Sequence, residues 1–398
     1  MLVGIVGKPN CGKSTFFKAL TLADVEIANY PFATIKPNHG IAFVRVECVD
    51  KEFNTQCNPR EGYCINHTRF VPIDVIDVAG LVPGAHEGKG MGNQFLSDLN
   101  QANALLHVID CSGSTNEKGE SVDSGSYNPA EDIKFLEKEL DFWYFEILKK
   151  GWEKFARQIQ QEHGNIAKAL AKQMSGLGVD EDIAKIAIKK LNSSSDTPMQ
   201  WAREDLMSLA STFRKLTKPM IIVANKIDVL GAHDNYERLV KEFPEYTIIP
   251  VSAESELALK EATKHKLIDY VPGDNTFNIH SDANLNEKQE KGLEFLKNEL
   301  KQHEGTGVQE AIEASVFKLL DQIAIFPGGV NNLADQYGNV LPDCFLMKNG
   351  STALDFAFKI HTDIGKKFIR AIDVKTKRTV GKEHLLKTRD VVEIITGK

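Results

Sequence analysis

The sequence contains no apolar run of about 18 residues, the length that a membrane-spanning helix needs. It also has no basic leader with a small-residue cleavage site, since its first residues already form an apolar segment and a glycine-rich loop. Cysteine is scarce, and its six residues are too scattered for a disulfide framework. We therefore expect a cytoplasmic protein that has no membrane partner.

The chain also lacks a large excess of one charge. Its 48 Lys and Arg residues face 55 Asp and Glu residues, and the net charge of −7 argues against an indiscriminate nucleic-acid coat. Residues 324–398 differ, with 12 basic and 8 acidic residues against 36 and 47 in the rest of the chain. Such a basic end module can contact RNA, although a solvated basic face is the simpler interpretation.

What the sequence does have is a phosphate-binding motif near its start. The pattern G-x-x-x-x-G-K-[ST] is filled, directly after an apolar run, by Gly7, Gly12, Lys13 and Ser14. In this pattern backbone N–H groups surround the β-phosphate, Lys13 reaches the β- and γ-phosphate oxygens, and the Ser14 hydroxyl ligates Mg²⁺. A plain glycine-rich turn is the alternative, and the motifs that follow argue against it.

Two further motifs end apolar runs that we expect to be strands. Residues 75–80 end in D-x-x-G, where Asp77 holds the Mg²⁺ ligand shell and the Gly80 amide meets the γ-phosphate. Residues 220–228 end in N-K-x-D, and the Asp228 carboxylate can accept from the N1–H and N2 amino groups of guanine, donors that adenine lacks there. Ser252 and Ala253 follow the next predicted strand and fit the loop that closes over the base. The sequence therefore predicts a guanine-nucleotide site.

Residues 29–38 and 79–96 resemble the corresponding loops of Obg-type GTPases of the translation-factor class, and in particular those of the YchF subfamily, also called Obg-like ATPases. In the first loop Thr34 is placed to reach Mg²⁺ and the γ-phosphate. Many YchF proteins carry N-x-x-E, which relaxes their preference toward ATP, whereas this chain ends the motif with Asp228. The resemblance therefore implies an archaeal-type member that prefers GTP.

The apolar periodicity and the resemblance together predict an α/β fold, a P-loop NTPase G domain with a mostly parallel sheet and helices on both faces. An all-α helical insertion interrupts this domain, and a small β-grasp module of the TGS type ends the chain. The A-x-D-F-A and I-H-T-D-x-G runs carry the TGS likeness. The expected boundaries are 1–111 and 217–271 for the G domain, 112–216 for the insertion, 272–323 for a helical connector and 324–398 for the TGS domain.

Hydrolysis is expected to be slow. Ras-type enzymes orient the attacking water with a glutamine directly after D-x-x-G, but Leu81 stands at that position and has no hydrogen-bonding atom. A partner, a residue of loop 81–92 or a monovalent cation must replace it. In several potassium-activated relatives an asparagine at the position of Asn10 helps to ligate K⁺ between the α- and γ-phosphates, so K⁺ is a candidate activator.

A second group of residues, Cys48, Cys57, Cys64 and His67, has the chemistry of zinc ligands. Structural zinc sites usually pair cysteines two to four residues apart, and the six residues between Cys57 and Cys64 make a loose spacing. Ordinary buried or surface thiols are the simpler interpretation, so we do not expect zinc here.

These patterns give one hypothesis, a GTP-binding and GTP-hydrolysing switch with Mg²⁺ as cofactor and a ribosome or RNA contacted through the TGS domain and the insertion. Two alternatives stay open: an ATP-preferring YchF-like NTPase, and a nucleotide-gated RNA- or ribosome-binding factor with incidental turnover. Catalysis is assigned to Lys13, Thr34 and Gly80, and Mg²⁺ ligation to Ser14, Thr34 and Asp77. The predicted nucleotide-binding residues are Asn10, Gly12, Lys13, Ser14, Thr15, Asp77, Gly80, Asn225, Lys226, Asp228, Ser252 and Ala253.

Overall fold

The computed structural model describes residues 1–21, 38–78, 98–191 and 193–397. The strands in these ranges are β1 (Leu2–Val6), β2 (His39–Glu47), β3 (Tyr63–Ile65), β4 (Thr68–Asp77), β5 (Ala104–Asp110), β6 (Met220–Asn225), β7 (Ile248–Val251), β8 (Ile268–Asp269), β9 (Asn278–Ile279), β10 (Gln322–Pro327), β11 (Phe345–Lys348), β12 (Phe368–Asp373), β13 (Arg378–Val380) and β14 (Val391–Thr396).

The α-helices in the same ranges are α1 (Lys13–Thr21), α2 (Ala130–Lys149), α3 (Trp152–Gln161), α4 (Ile166–Gln173), α5 (Glu181–Lys189), α6 (Arg203–Thr217), α7 (Ala232–Glu242), α8 (Ala253–Lys264), α9 (Glu287–His303), α10 (Val308–Glu313), α11 (Ala353–Ile360) and α12 (Thr362–Lys366). Among these helices, none combines the length and the apolar character needed to span a bilayer. The chain divides into two compact units, Met1–Phe17 with Val75–Glu254, and Lys18–Asp74 with Ser255–Lys398.

A parallel sheet forms the centre of the first unit, in the order β1-β5-β6-β7, and the last three residues of β4, which belong to this unit, lie beside β1. β1 pairs with β5, β5 with β6 and β6 with β7, all in parallel. Just past β4, the Val78 amide donates to the Ile5 carbonyl at 3.0 Å. Every residue of β5 and β6 is buried, as expected of strands covered on both faces. The carboxyl ends of these strands therefore meet at one edge of the sheet.

Helices complete this unit in two groups. On the sheet, α2 and α7 bury apolar side chains that include Ile133, Leu136 and Leu239. Beyond the sheet, the carboxyl-terminal half of α2 joins α3 to α6 around a separate apolar core, in which the rings of Trp152 and Trp201 stack with centroids 5.5 Å apart. The three- to four-residue apolar spacing thus forms an all-α insertion, as predicted.

In the second unit, β3 and β4 form an antiparallel hairpin in which Ile65 pairs with Thr68. Its two-residue turn consists of Asn66 and His67, both with positive φ, at 49° and 62°. Positive φ at both central positions is the requirement of a type I′ turn, whose twist matches that of the flanking strands. The turn directs His67 toward residues that follow β2.

The carboxyl-terminal sheet of the same unit has the order β11-β10-β14-β12-β13. β10 and β14 pair in parallel, while the other pairs in this sheet are antiparallel. Helix α11 buries Ala353 and Phe356 in the core of this sheet. This mixed sheet with a packed helix is the predicted β-grasp module, and with the P-loop sheet and the helical insertion it confirms the predicted fold class.

Candidate nucleotide-binding site

A cavity of about 640 Å³ opens in the first unit, beside the carboxyl ends of β1 and β6. This volume lies in the range of small-molecule sites, and the carboxyl edge of an open α/β sheet is where such folds bind ligands. The residues that line the cavity are Lys8, Pro9, Asn10, Gly12, Lys13, Ser14, Thr15, Asn225, Lys226, Asp228, Val229, Ala253 and Glu254. The fold therefore brings the phosphate motif and the N-K-x-D motif to one cavity.

The loop between β1 and α1 depends on its glycines. Gly12 has φ +91°, and a Cβ there would lie 2.1 Å from Asn225 Nδ2. A Cβ on Gly7 would lie 2.4 Å from the Val108 carbonyl oxygen. A side chain at either position would clash with a neighbouring segment, so glycine lets the loop turn tightly onto the start of α1 at Lys13. The first N–H groups of α1 and its dipole then favour an anion at this end.

Two predicted phosphate-side residues are joined directly. The Lys13 ammonium forms an ion pair with the Asp77 carboxylate, and both side chains are mostly buried. Asp77 is the last residue of β4, whose end lies beside β1 in the sheet. The sheet therefore places the D-x-x-G carboxylate next to the phosphate-loop lysine.

Asn225 connects three segments around the cavity. It is the last residue of β6, and only 3% of its surface is exposed. Its Nδ2 donates to the Cys11 carbonyl at 3.0 Å, and its Oδ1 accepts from the Ala253 amide at 3.1 Å. One side chain thus fixes the phosphate loop and the start of α8 relative to the N-K-x-D motif.

Lys226 is held by Asp110, the buried last residue of β5. Its Nζ donates to Asp110 Oδ2 at 2.9 Å. Ser112, Ser114 and Thr115 also donate hydroxyl hydrogen bonds to this carboxylate. Burial alone would raise the pKa of Asp110, but hydrogen bonds from Ser112, Lys226 and Thr115 outweigh it and hold the pKa below the usual value. Asp110 is therefore a permanent anion that orients Lys226.

Other predicted residues differ in their surroundings. Asn10 has φ 60°, and its side-chain Nδ2 donates a hydrogen bond to the Gly119 carbonyl at 2.9 Å. Asp228 lines the cavity, while Ser252 is buried next to Ala253 and is not among the lining residues. Thr34 and Gly80 lie outside the described residues, so their predicted roles stay predictions.

Family models match three parts of the chain. Residues 2–140 match the 50S ribosome-binding GTPase model, residues 223–330 match the Obg-like GTPase YGR210-like, G4 motif-containing domain, and residues 337–396 match the TGS domain. An uncharacterized GTP-binding protein of Methanocaldococcus jannaschii is 51% identical over 100% of this chain and 99% of its own length. The chain belongs to the YchF-type family of P-loop GTPases.

Other members of the YchF-type family support this assignment. The ribosome-binding ATPase YchF of Escherichia coli O157:H7 is 27% identical over 98% of each chain. The crystal structure of a GTP binding protein from Pyrococcus horikoshii OT3 superimposes with a TM-score of 0.78 at 38% identity and covers 100% of both chains. The YchF GTPase of Schizosaccharomyces pombe, at 23% identity and a TM-score of 0.61 over 99% of this chain and 97% of its own, shows the same fold.

The structure of this YchF-type protein adds residues that the motifs did not indicate. Lys8, inside the phosphate loop, is buried; its Nζ lies 2.9 Å from Asp132 Oδ2 and 3.9 Å from the centroid of the Tyr127 ring. Asp132 belongs to α2, more than a hundred residues away, so no local pattern connects the two. Asp110 did carry a signal, because a carboxylate ending a buried parallel strand is typical of a ligand-site edge.

Proposed function

We propose that the protein binds GTP with Mg²⁺ and hydrolyses it slowly to GDP and phosphate. The observation that carries this proposal is the shared cavity, in which the phosphate loop and Asp228 face one space. A carboxylate at the base end accepts hydrogen bonds from the N1–H and N2 amino groups of guanine. Adenine has no donors at these positions, so it would leave the charged carboxylate unpaired. The phosphate end, with the start of α1 and Lys13, suits the negative charge of a triphosphate.

The residues at the phosphate end also suit a magnesium ion. Ser14 offers a hydroxyl oxygen in the cavity and Asp77 offers a carboxylate beside Lys13, and hard oxygen donors of this kind are what Mg²⁺ prefers. When bound, Mg²⁺ would neutralise charge on the β- and γ-phosphates. We assign Lys13 to the same charge, and Thr34 and Gly80 to the γ-phosphate, as the motifs predict.

Calorimetry with Mg²⁺ tests the choice of base. We expect GTP and GDP to bind at least about tenfold more tightly than ATP, because two charge-assisted hydrogen bonds depend on Asp228. The variant Asp228→Asn should lose about a hundredfold in GTP affinity. The matched control is Asp234→Asn, an exposed aspartate on α7, which should bind GTP like the unmodified protein. Tighter binding of ATP than of GTP would contradict the proposal.

That contrary result would instead support an ATP-preferring enzyme. The observation in favour of this second candidate is that relatives at 27% and 28% identity carry the name ribosome-binding ATPase. Turnover assays with each nucleotide separate the two candidates independently of binding. Equal hydrolysis rates for GTP and ATP would show that hydrolysis does not select guanine over adenine, which contradicts the proposal.

We further propose a cytoplasmic switch that contacts the ribosome or RNA through the TGS domain and the helical insertion. In support, relatives are named ribosome-binding, and residues 324–398 carry more basic than acidic residues. GTP would order the loops around Thr34 and after Asp77, and hydrolysis would release them. Pelleting with ribosomes should require a non-hydrolysable GTP analogue and weaken with salt.

The same pelleting assay distinguishes a nucleotide-gated switch from a binding factor with incidental turnover. In a switch, Lys13→Ala abolishes both nucleotide binding and ribosome retention. If Lys13→Ala retains ribosomes as well as the unmodified protein does, the binding-factor alternative is supported and the switch is rejected.

K⁺ is the proposed replacement for the water-orienting glutamine. Because the Asn10 amide nitrogen donates to Gly119, ligation of K⁺ would use the amide oxygen of Asn10. Hydrolysis should then be several-fold faster in KCl than in NaCl, and Asn10→Ala should remove the difference. Equal rates in both salts would remove K⁺ from the mechanism.

A further inference from the structure

Four potential metal ligands converge in the second unit, where β2 ends and the β3–β4 hairpin begins. The Sγ atoms of Cys48, Cys57 and Cys64 and a carboxylate oxygen of Asp50 all lie within 4.8 Å of one another. Cys48 and Asp50 are fully buried, Cys57 is nearly so, and Cys64 is half-buried. None of the four lines the nucleotide cavity. We propose that these residues hold a structural zinc ion.

The distances are close to those of a tetrahedral zinc site. Zn–S bonds of about 2.3 Å and Zn–O bonds of about 2.0–2.2 Å place neighbouring ligand atoms roughly 3.4–3.8 Å apart. Cys48 Sγ lies 3.5 Å from Cys57 Sγ, and Cys64 Sγ lies 4.0 Å from Asp50 Oδ2. A disulfide would need sulfur atoms about 2.05 Å apart, and these three cysteines are free. The ligand atoms need to shift by less than about 1 Å to surround zinc.

The backbone around the four ligands is firmly placed. The Cys48 amide donates to the His67 carbonyl at 2.8 Å, which joins the end of β2 to the type I′ turn. Asp50, in a 3₁₀ turn at Val49–Phe53, accepts from the Cys57 amide at 3.0 Å. Its other oxygen lies 2.9 Å from His67 Nδ1. In this arrangement His67 is not itself a metal ligand, and its hydrogen bond orients the carboxylate of Asp50, which is one.

The donor set selects zinc among the common protein metals. Thiolates are soft ligands that Mg²⁺ and Ca²⁺ avoid, whereas zinc accepts sulfur and carboxylate oxygen together. Iron–sulfur clusters ordinarily take four cysteines, and the described cluster offers three. The negative charge of the ligands is further balanced by the buried Arg69, which interacts electrostatically with Cys57.

Zinc here would fix the loop on which part of the carboxyl-terminal domain rests. Cys57 and Cys64 bracket this segment, in which the Asn58 amide donates to Val340 and the Arg60 amide donates to Pro342, both at 2.9 Å. The Arg60 side chain also pairs with Asp343 at 2.5 Å. Losing the metal should therefore loosen the loop and its contacts with residues 340–343.

The sequence spacing favoured ordinary thiols, and hydrogen bonds among thiols are still the competing explanation. Eight residues separate Cys48 from Cys57 and six separate Cys57 from Cys64, outside the usual zinc pattern. The fold removes this objection, because the 3₁₀ turn and the hairpin bring the distant cysteines together. Metal content distinguishes the two explanations.

The experiment uses the full chain, kept reduced, stripped with a chelator and then dialysed against Zn²⁺ or Co²⁺. We expect one zinc per chain by elemental mass spectrometry, and a thiolate-to-cobalt charge-transfer band with Co²⁺. Cys57→Ser and Cys64→Ser should each weaken zinc binding at least about tenfold. The matched control is Cys344→Ser, a half-buried cysteine of the same unit outside the cluster, which should keep its zinc.

Two readouts on the unmodified protein keep the test valid if a variant fails to fold. Zinc should protect three thiols from modification, and chelation should accelerate trypsin cleavage after Arg60, whose side chain is 52% exposed. If the chain binds less than about one-tenth of a zinc ion and shows no thiolate-to-cobalt charge-transfer band with Co²⁺, the proposal is overturned. Bound iron in place of zinc would overturn it as well.

Discussion

At the scale of single residues, Asn225 has the widest influence on the nucleotide cavity. Its amide gives one hydrogen bond to Cys11 and receives one from Ala253, and both partners are buried backbone groups. A buried backbone group that loses its partner costs about 1–3 kcal/mol. The side chain therefore stabilises two segments that contact nucleotide in the proposed complex.

We predict that Asn225→Ala weakens GTP binding by roughly a hundredfold, equivalent to about 2–3 kcal/mol. The expected cause is that the Cys11 carbonyl and the Ala253 amide both lose their buried partner. Calorimetry measures the change. Asn235→Ala is the control, since Asn235 donates to the Cys111 carbonyl at 2.8 Å without lining the cavity. If Asn225→Ala binds GTP as tightly as the control does, the two hydrogen bonds of Asn225 are not needed for nucleotide binding.

His107 provides a prediction about pH. It lies in β5, is 3% exposed, and its Nδ1 has no hydrogen-bond partner within the described ranges. Burial, aided by the charge of Lys8, lowers its pKa from 6.5 to about 3. Between these values the unfolded chain binds a proton that the folded chain does not. The stabilisation is therefore complete above pH 6.5 and is lost as the pH falls toward 3.

From pH 7 to pH 5, we expect His107 to account for a loss of about 2 kcal/mol in the free energy of unfolding. Urea unfolding at both pH values measures this loss. In His107→Leu the decrease should be smaller by that amount, whereas His265→Leu, which changes an exposed histidine, should behave like the unmodified protein. If His107→Leu and the unmodified protein lose the same stability, His107 does not titrate as proposed.

At the scale of elements, the phosphate loop and helix α2 are joined by a buried ion pair. Lys8 Nζ lies 2.9 Å from Asp132 Oδ2 and donates to the Thr115 carbonyl at 2.8 Å. Tyr127 donates to the other Asp132 oxygen at 3.0 Å. Desolvation raises the pKa of Asp132 in spite of Lys8, as expected for a carboxylate held in a dry environment. The loop and the first helix of the insertion are therefore coupled.

Replacing Asp132 with Asn should destabilise the protein by about 3 kcal/mol, because the buried charge of Lys8 loses its counter-charge. GTP affinity should also fall, since the phosphate loop loses one of its supports. Tyr127→Phe removes one hydrogen bond to the Asp132 carboxylate but leaves the ion pair with Lys8 in place, so it should cost less, about 1.5 kcal/mol. Urea unfolding and calorimetry measure both variants, and equal stabilities for the two would contradict the coupling.

These elements also show how far the sequence can predict the site. The glycine pattern before α1 and the N-K-x-D motif after β6 are local, and the fold brings both to one cavity. The pair of Lys8 with Asp132 and the cysteine cluster depend on how distant segments pack, which periodicity and spacing do not encode. The fold class is predictable because apolar period and strand-end chemistry repeat along the chain, whereas individual long-range contacts do not.

At the scale of the whole molecule, Arg69 connects the β3–β4 hairpin to the carboxyl-terminal segment of the second unit. It is 1% exposed and donates to the Leu341 carbonyl at 3.0 Å and to the Pro342 carbonyl at 2.7 Å. In the carboxyl-terminal part of β2, Arg45 pairs with Glu313 at 2.7 Å. Buried charged donors on backbone carbonyls are costly to remove, so this attachment is expected to be permanent.

We predict that Arg69→Leu lowers the free energy of unfolding of this unit by about 3 kcal/mol, because two buried carbonyls lose their charged donor. Amide exchange of residues 337–347 should accelerate, as measured by hydrogen-exchange mass spectrometry. Arg60→Leu is the control: its side chain is 52% exposed, so it should cost under about 1 kcal/mol. GTP affinity should stay within about threefold in both variants, because every residue lining the cavity belongs to the other unit. Unchanged exchange in Arg69→Leu would show that other contacts alone hold the carboxyl-terminal domain.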